Sequence, residues 1–157
     1  MNVSRKKSLT LISEACEGFT LIELLVVITI LGILAAIGVG SFQSSQAKGR
    51  DAQRKQDLNQ IQKALEMYYN DQNGYPLAVD FGAIWEDANG TIYMKTIPDD
   101  PRACHYQYTQ ESNGAGYVLY AHLENSQDRS LGSSYTQTCC GVANDCNYAV
   151  SSANVTP

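Results

Sequence analysis

Apolar and polar positions are spread very unevenly along the chain. From Phe19 to Val39 the sequence reads FTLIELLVVITILGILAAIGV, and its only ionisable side chain is Glu23. As a helix at about 1.5 Å per residue, these 21 residues reach about 31 Å, enough to cross the hydrocarbon core of a bilayer. Beyond them Leu58, Ile61, Leu65 and Tyr68 recur at spacings of three and four, which predicts that the helix continues, with one apolar face, to about Asn70. Asp51, Arg54, Lys55, Asp57 and Lys63 are expected mostly on its other faces, with Asp51 pairing with Lys55 one turn on. Asn70-Asp71-Gln72-Asn73-Gly74 followed by Tyr75-Pro76 is a stop signal. Gly74 can cap the helix, and Pro76 cannot continue it. Such a helix is roughly 75–80 Å long, too long for a lone small domain, so lipid or other subunits must cover its first half.

After Pro76 the helical period is lost. Leu77 to Asn89 reads as a loop or short helix, with Phe81, Ile84 and Trp85 available to pack on the first helix. Tyr93 to Pro101 reads as a rigid connector, because each proline fixes its own φ and restricts the residue before it. Tyr106 to Thr109 is a strand, Glu111 to Gly116 a hairpin loop, and Tyr117 to Leu123 the clearest strand. Asn147 to Val150 is a candidate third strand, and Ser151 to Pro157 is expected to fray.

Length and charge narrow the function classes. The 157 residues suit one modest domain. Only 17% are Asp, Glu, Lys or Arg, against about 25% in a typical soluble domain. The mean hydropathy of −0.24 averages a greasy segment with a polar remainder. A net charge of −5 argues against a nucleic-acid binder, which needs a basic surface to meet phosphates. Ten tyrosines against three phenylalanines point to half-buried rings with wet hydroxyls.

The N-terminus departs from an ordinary signal peptide. Arg5, Lys6 and Lys7 form a basic start, but Ser13, Glu14 and Glu17 break up the stretch after it, and the long apolar run begins only after Gly18. Gly18-Phe19-Thr20-Leu21-Ile22-Glu23, continued by Leu24-Leu25-Val26-Val27, resembles the class III signal of type IV pilins and pseudopilins. The resemblance is strong from Glu17 to about Pro76, weaker from Tyr93 to Glu124, and absent in the tail. It implies cleavage by a prepilin peptidase between Gly18 and Phe19, N-methylation of Phe19, and retention of the apolar segment in the mature subunit. It also implies a pilin-like α+β fold: one long N-terminal helix, its first half transmembrane, packed on a small antiparallel sheet. The corresponding parts are a leader (1–18), a membrane and assembly half of the helix (19–42), its amphipathic half (43–73) and a head (74–157).

Glu23 discriminates between readings. A carboxylate inside a span costs several kcal/mol and usually signals function. On the resemblance, cleavage exposes the amine of Phe19, which would be positively charged and enter an apolar filament core. Glu23, one turn along, can neutralise it within a subunit or between subunits, without adding to monomer stability. Lys and Arg flank the span about equally (Arg5, Lys6 and Lys7 before; Lys48, Arg50, Arg54 and Lys55 after), so charge alone leaves orientation open. The resemblance places the N-terminus in the cytoplasm.

Cleavage removes Cys16 and leaves Cys104, Cys139, Cys140 and Cys146, an even number suited to disulfides outside the cytoplasm. Adjacent cysteines rarely bridge each other, so Cys104 is expected to bond Cys139 or Cys140, and the other to bond Cys146. That staples the C-terminal region. Zinc is the rival reading, drawing on these thiols with His105 or His122, but no C-x-x-C spacing is present. Acids gather at Asp99-Asp100, between Glu124 and Asp128, and at Asp145. The resemblance to type II secretion pseudopilins implies calcium in the loop after the strands, whereas the plainer reading is solvated turns. No catalytic constellation is present, since G-x-S-x-G, H-E-x-x-H and a phosphate loop are all missing.

The resemblance implies a prepilin, a structural subunit and not an enzyme. Such a subunit is expected to be stored in the inner membrane, processed, and polymerised with other subunits into a type IV pilus-like filament by an inner-membrane assembly platform. A type II secretion pseudopilin is the alternative within the family. A signal-anchored binding or catalytic domain is the alternative outside it.

Overall fold

The computed structural model describes residues 18–132 and 135–157. The chain divides into two units, the first ending at Gly40 and the second running Ser41–Pro157. A single helix, α1 (Leu21–Gln72), contributes to both. In the first unit every described residue is exposed, including Leu21, Ile22, Leu24, Leu25 and Ile33. This stretch is apolar all round and has no core of its own to face. A helix of that kind is stable in water only when something else covers it, and α1 is long and apolar enough to cross a membrane.

The second unit holds the core. Leu58, Ile61 and Leu65 are fully buried, as their spacing requires. Two further residues continue the same stripe toward the N-terminus, Asp51 and Arg54, and both are buried too. The placement of Asp51, Arg54 and Asp57 on outward faces is therefore wrong, and Asp51 bonds Arg54 at 2.8 Å, not Lys55. The helix ends as the stop signal demands, with one change of residue. Asn73 takes the left-handed position (φ 54°), its N–H donating to the Tyr69 carbonyl at 2.8 Å, so Asn73 and not Gly74 caps the helix.

Two antiparallel sheets come after the helix. The first is a ribbon of β1 (Trp85–Glu86) and β2 (Ile92–Met94), within segments read from sequence as loop and connector. Its turn is held by Asp87, whose Oδ1 accepts the N–H of Asn89 (2.9 Å) and of Thr91 (2.8 Å). Trp85 stacks on Tyr68 at 5.4 Å and Phe81 meets Tyr106 edge-on at 5.9 Å, while Ile84, just before β1, stays exposed.

The second sheet has the order β3-β4-β5, with β3 Gln107–Glu111, β4 Gly116–Ala121 and β5 Tyr148–Ser151. Gln107 pairs with Tyr120 and Glu111 with Gly116 across the hairpin. Val118 pairs with Ser151 and Ala121 with Tyr148 on the other side. Every residue of β4 is buried. Tyr117, Leu119 and Ala121 join the cluster with Leu58, Ile61 and Leu65, while Val118 and Tyr120 pack with Cys139 and Cys146. With both faces covered, β4 reads as a continuous apolar run.

The tail does not fray. Ser152 is buried, its N–H donates to the Tyr117 carbonyl at 3.1 Å, and Asn154 Nδ2 donates to the Ala115 carbonyl at 2.6 Å. A Cβ on Gly116 would lie 2.3 Å from Cγ2 of Val155, so the tail can close against β4 only because residue 116 has no side chain. The result is an α+β fold of one long N-terminal helix and small antiparallel sheets, with two disulfides in the C-terminal region.

Candidate functional site

The start of α1 carries the residues singled out for processing and assembly. Arg5, Lys6, Lys7 and Cys16, like most of the 1–18 leader, lie outside the described residues. Gly18 and Phe19 are exposed and precede the helix. Glu23 Oε2 accepts the Thr20 N–H at 2.9 Å and the Thr20 hydroxyl at 2.6 Å, and the Thr20 hydroxyl oxygen accepts the Glu23 N–H at 3.3 Å. This reciprocal arrangement is a capping box, which satisfies two otherwise unpaired N–H groups at a helix N-terminus. Glu23 is thus engaged at the helix start within its own subunit, beside the assembly role expected of it from sequence. The signal is legible as T-x-x-E before an apolar run.

In the second unit a charged interlock fixes loops to the helix. Arg54 is fully buried. Its Nη1 donates to Asp51 Oδ1 at 2.8 Å and to Glu124 Oε1 at 2.9 Å, and its other two contacts go to Asp100. Glu124 also receives a two-pronged contact from Arg50, at 2.8 and 2.6 Å, and a third partner in Arg102 at 3.1 Å. Asp51 in turn accepts the N–H of Glu124 at 2.9 Å and of Asn125 at 2.8 Å, and Asp100 accepts the Arg102 N–H at 2.8 Å. Hydrogen bonding to Arg50, with help from Arg54, holds the Glu124 carboxyl down at about 2 despite its partial burial. Burial works against the charge on Arg54, but its bonds to Asp100 and Glu124 outweigh that and raise its pKa. Asp57 moves the other way: burial raises its pKa, and the hydrogen bond from Tyr106 (3.0 Å) only partly offsets this.

Cys104 is bonded to Cys140 and Cys139 to Cys146. This is one of the two pairings that sequence leaves open. His122 and Asp145 approach Cys140, and Asp145 approaches Cys139 and Cys146, so each group superficially resembles a metal site. Their sulfurs are disulfide-bonded and cannot act as thiolate ligands, which removes the zinc reading at these positions. The carboxylate of Asp145 instead accepts the N–H groups of Cys139, Cys140 and Val142, and these bonds lower its pKa against the effect of burial.

The acidic turns are not simply solvated. Asp99 bonds His105, Asp100 bonds Arg54, Glu124 bonds three arginines, and Asp128 bonds Lys55 at 2.7 Å and Ser130. Sequence reasoning missed the buried pair Asp51 and Arg54, although both sit on the 51-54-58-61-65 stripe.

An exposed apolar helix start with a single capped carboxylate, joined to a disulfide-bearing α+β head, defines the pilin and pseudopilin class of filament subunits. Comparison with known proteins agrees. The prokaryotic N-terminal methylation motif matches residues 15–39, and type II secretion system protein G matches residues 41–134. The chain belongs to the type II secretion system protein G family. It is 34% identical over 115 residues to type II secretion system core protein G of Pseudomonas aeruginosa, covering 67% of this chain and 81% of that one. The corresponding protein of Aeromonas hydrophila is 33% identical over 104 residues, covering 58% and 71%. The type IV major pilin protein PilA of Myxococcus xanthus is 38% identical over 59 residues, covering 38% and 27%. No solved structure is significantly similar. The chain is thus a structural subunit of the pilin and pseudopilin class, anchored by its N-terminal helix and assembled with other subunits into a filament. It is not an enzyme.

Proposed function

We propose that this chain is a pseudopilin of a type II secretion system, whose short filament drives substrates outward. The order of the two readings made from sequence is thereby reversed. The observation that carries the proposal is the reach of the protein G match, which covers residues 41–134 and so extends through most of the head. The match to a major pilin covers only 59 residues.

In this reading a prepilin peptidase cuts between Gly18 and Phe19 and methylates the new amine of Phe19. The N-terminus faces the cytoplasm, residues 19–42 lie in the inner membrane until assembly, and an inner-membrane platform extracts the subunit into the growing filament. Glu23 pairs with the amine of Phe19, in its own subunit or in the next. The exposed apolar surface from Phe19 to Phe42 supports burial in lipid first and among neighbouring helices afterwards. Deleting the gene in its native host tests the proposal. Loss of secreted proteins from the medium with surface pili unchanged is the expected result. Loss of pili with secretion intact would return the chain to the pilus.

A further inference from the structure

Calcium in the loop after the strands is what resemblance to secretion pseudopilins implies, and the donor set here does not fit it. Calcium takes six to eight oxygen ligands. Among the described residues of that loop the carboxylates and Asn125 Oδ1 are already engaged: Glu124 by arginines, Asn125 Oδ1 by the Gln127 N–H, and Asp128 by Lys55 and Ser130. The carbonyls of Leu123, Asn125 and Asp128 likewise accept bonds from Asn147 Nδ2 and from the N–H groups of Asp128 and Leu131. No buried side-chain nitrogen or oxygen lacks a partner among the described residues.

The guanidinium of Arg54 has the surroundings of a bound cation. It is fully buried and receives oxygens from three separate segments: Asp51 on the helix, Asp100 in the connector, and Glu124 after β4. Asp51 also accepts the N–H groups of Glu124 and Asn125 after β4, and Asp100 accepts the Arg102 N–H beside it, so the cation and its ligands together tie the loops to the helix. We propose that Arg54 is the head's built-in cation: it occupies an oxygen-lined site formed by Asp51, Asp100 and Glu124, and so the head folds without a divalent ion. Removing the guanidinium leaves Asp51 and Asp100 with no cation, facing one gap with Glu124, which keeps Arg50 and Arg102. Their mutual repulsion is best relieved by a small hard cation, so the emptied site becomes one for calcium.

The test uses the full chain in detergent micelles, with its disulfides intact. Thermal unfolding is followed by near-ultraviolet circular dichroism, which reads the tyrosine-rich head and ignores the membrane half of the helix. The wild-type midpoint is expected to be the same in millimolar calcium chloride and in excess EGTA. Arg54→Ala should unfold at least about 10 °C lower in EGTA and recover a substantial part of that loss in calcium. If Arg54→Ala is too weak to fold in EGTA, refolding from denaturant in calcium is the readout, and recovery of the native signal supports the proposal. A wild-type midpoint raised by calcium overturns it. So does an Arg54→Ala chain that responds to calcium no more than wild type, or that stays unfolded at every calcium concentration.

Discussion

Arg54 and Asp100 meet in a two-point contact: Nε donates to Oδ2 at 2.6 Å and Nη2 to Oδ1 at 3.0 Å, with both side chains buried. Fork-on-carboxylate geometry of this kind is strong and directional, but its contribution to stability is asymmetric. Making such a pair costs much of what the attraction returns, because both ions leave water. Breaking it strands one of them.

Asp100→Asn should therefore be severe. The amide offers one acceptor where the carboxylate offered two and carries no charge, so Arg54 stays buried with a weakened partner. A loss of about 3–5 kcal/mol is expected, which for a head of this size lowers the melting midpoint by roughly 10 °C or more. Arg102→Ala is the control. Its side chain is 59% exposed and only adds a third partner to Glu124, so a change under about 1 kcal/mol is expected. Melting curves that rank the two variants the other way would place the weight of the network at its surface.

Acid should loosen the same network. The carboxyl of Glu124 titrates at about 2 in the folded head, against 4.5 unperturbed. A carboxyl depressed by folding stabilises above its unfolded pKa, and that contribution disappears as pH falls toward the folded value. Here it is on the order of 3 kcal/mol, present above about pH 5 and lost between there and pH 2. Asp128, lowered by Lys55 and Ser130, acts in the same direction, while Asp57, raised by burial, opposes both. Glu124→Gln should lie below wild type at pH 7 and converge with it near pH 2. Parallel curves over that range would exclude Glu124 as the source of the slope.

The two disulfides should contribute unequally. Cys104 and Cys140 are 36 residues apart in sequence, Cys139 and Cys146 only 7. In the chain-entropy account the longer loop restrains the unfolded state by about 4 kcal/mol and the shorter by about 2 kcal/mol. Replacing Cys104 and Cys140 together by serine should lower the denaturant midpoint more than replacing Cys139 and Cys146. Equal losses would show that native contacts, not chain closure, set the contribution of each bridge.

The parts of the fold legible in sequence are those governed by a repeating local rule. The helix with its Leu58, Ile61 and Leu65 face, the hairpin around Glu111 to Gly116, and β5 all follow from periodicity and turn chemistry. The ribbon of β1 and β2 does not, because two and three residues are too short to show a period, and its turn rests on one aspartate side chain. Arg54 and Asp51 escape for a different reason. A charged side chain ordinarily marks a solvated face, and two of the three acids that compensate Arg54 lie 46 and 70 residues away, beyond any local window. The tail is a similar case, since the open backbone beside Gly116 is what holds Ser152 and Asn154.

Glu23 has two candidate roles that one pair of variants separates. In the isolated subunit its carboxylate is bonded to the N–H and hydroxyl of Thr20. In the proposed filament it neutralises the charged amine of Phe19. Glutamine can replace glutamate in a capping box, since the amide oxygen accepts the same bonds. It cannot neutralise an amine. Alanine abolishes both. If capping alone matters, Glu23→Gln should assemble nearly as well as wild type, and only Glu23→Ala should fail. If charge pairing matters, both variants should give scarce filaments when they are the only subunit present. An unpaired ion in an apolar core costs several kcal/mol, far more than a helix cap. The expected result is therefore that glutamine fails with alanine, while membrane insertion and the melting of the head stay unchanged in both. Filament counts by electron microscopy, with subunit levels matched by immunoblot, read the difference. Normal filaments from Glu23→Gln would reduce Glu23 to a cap.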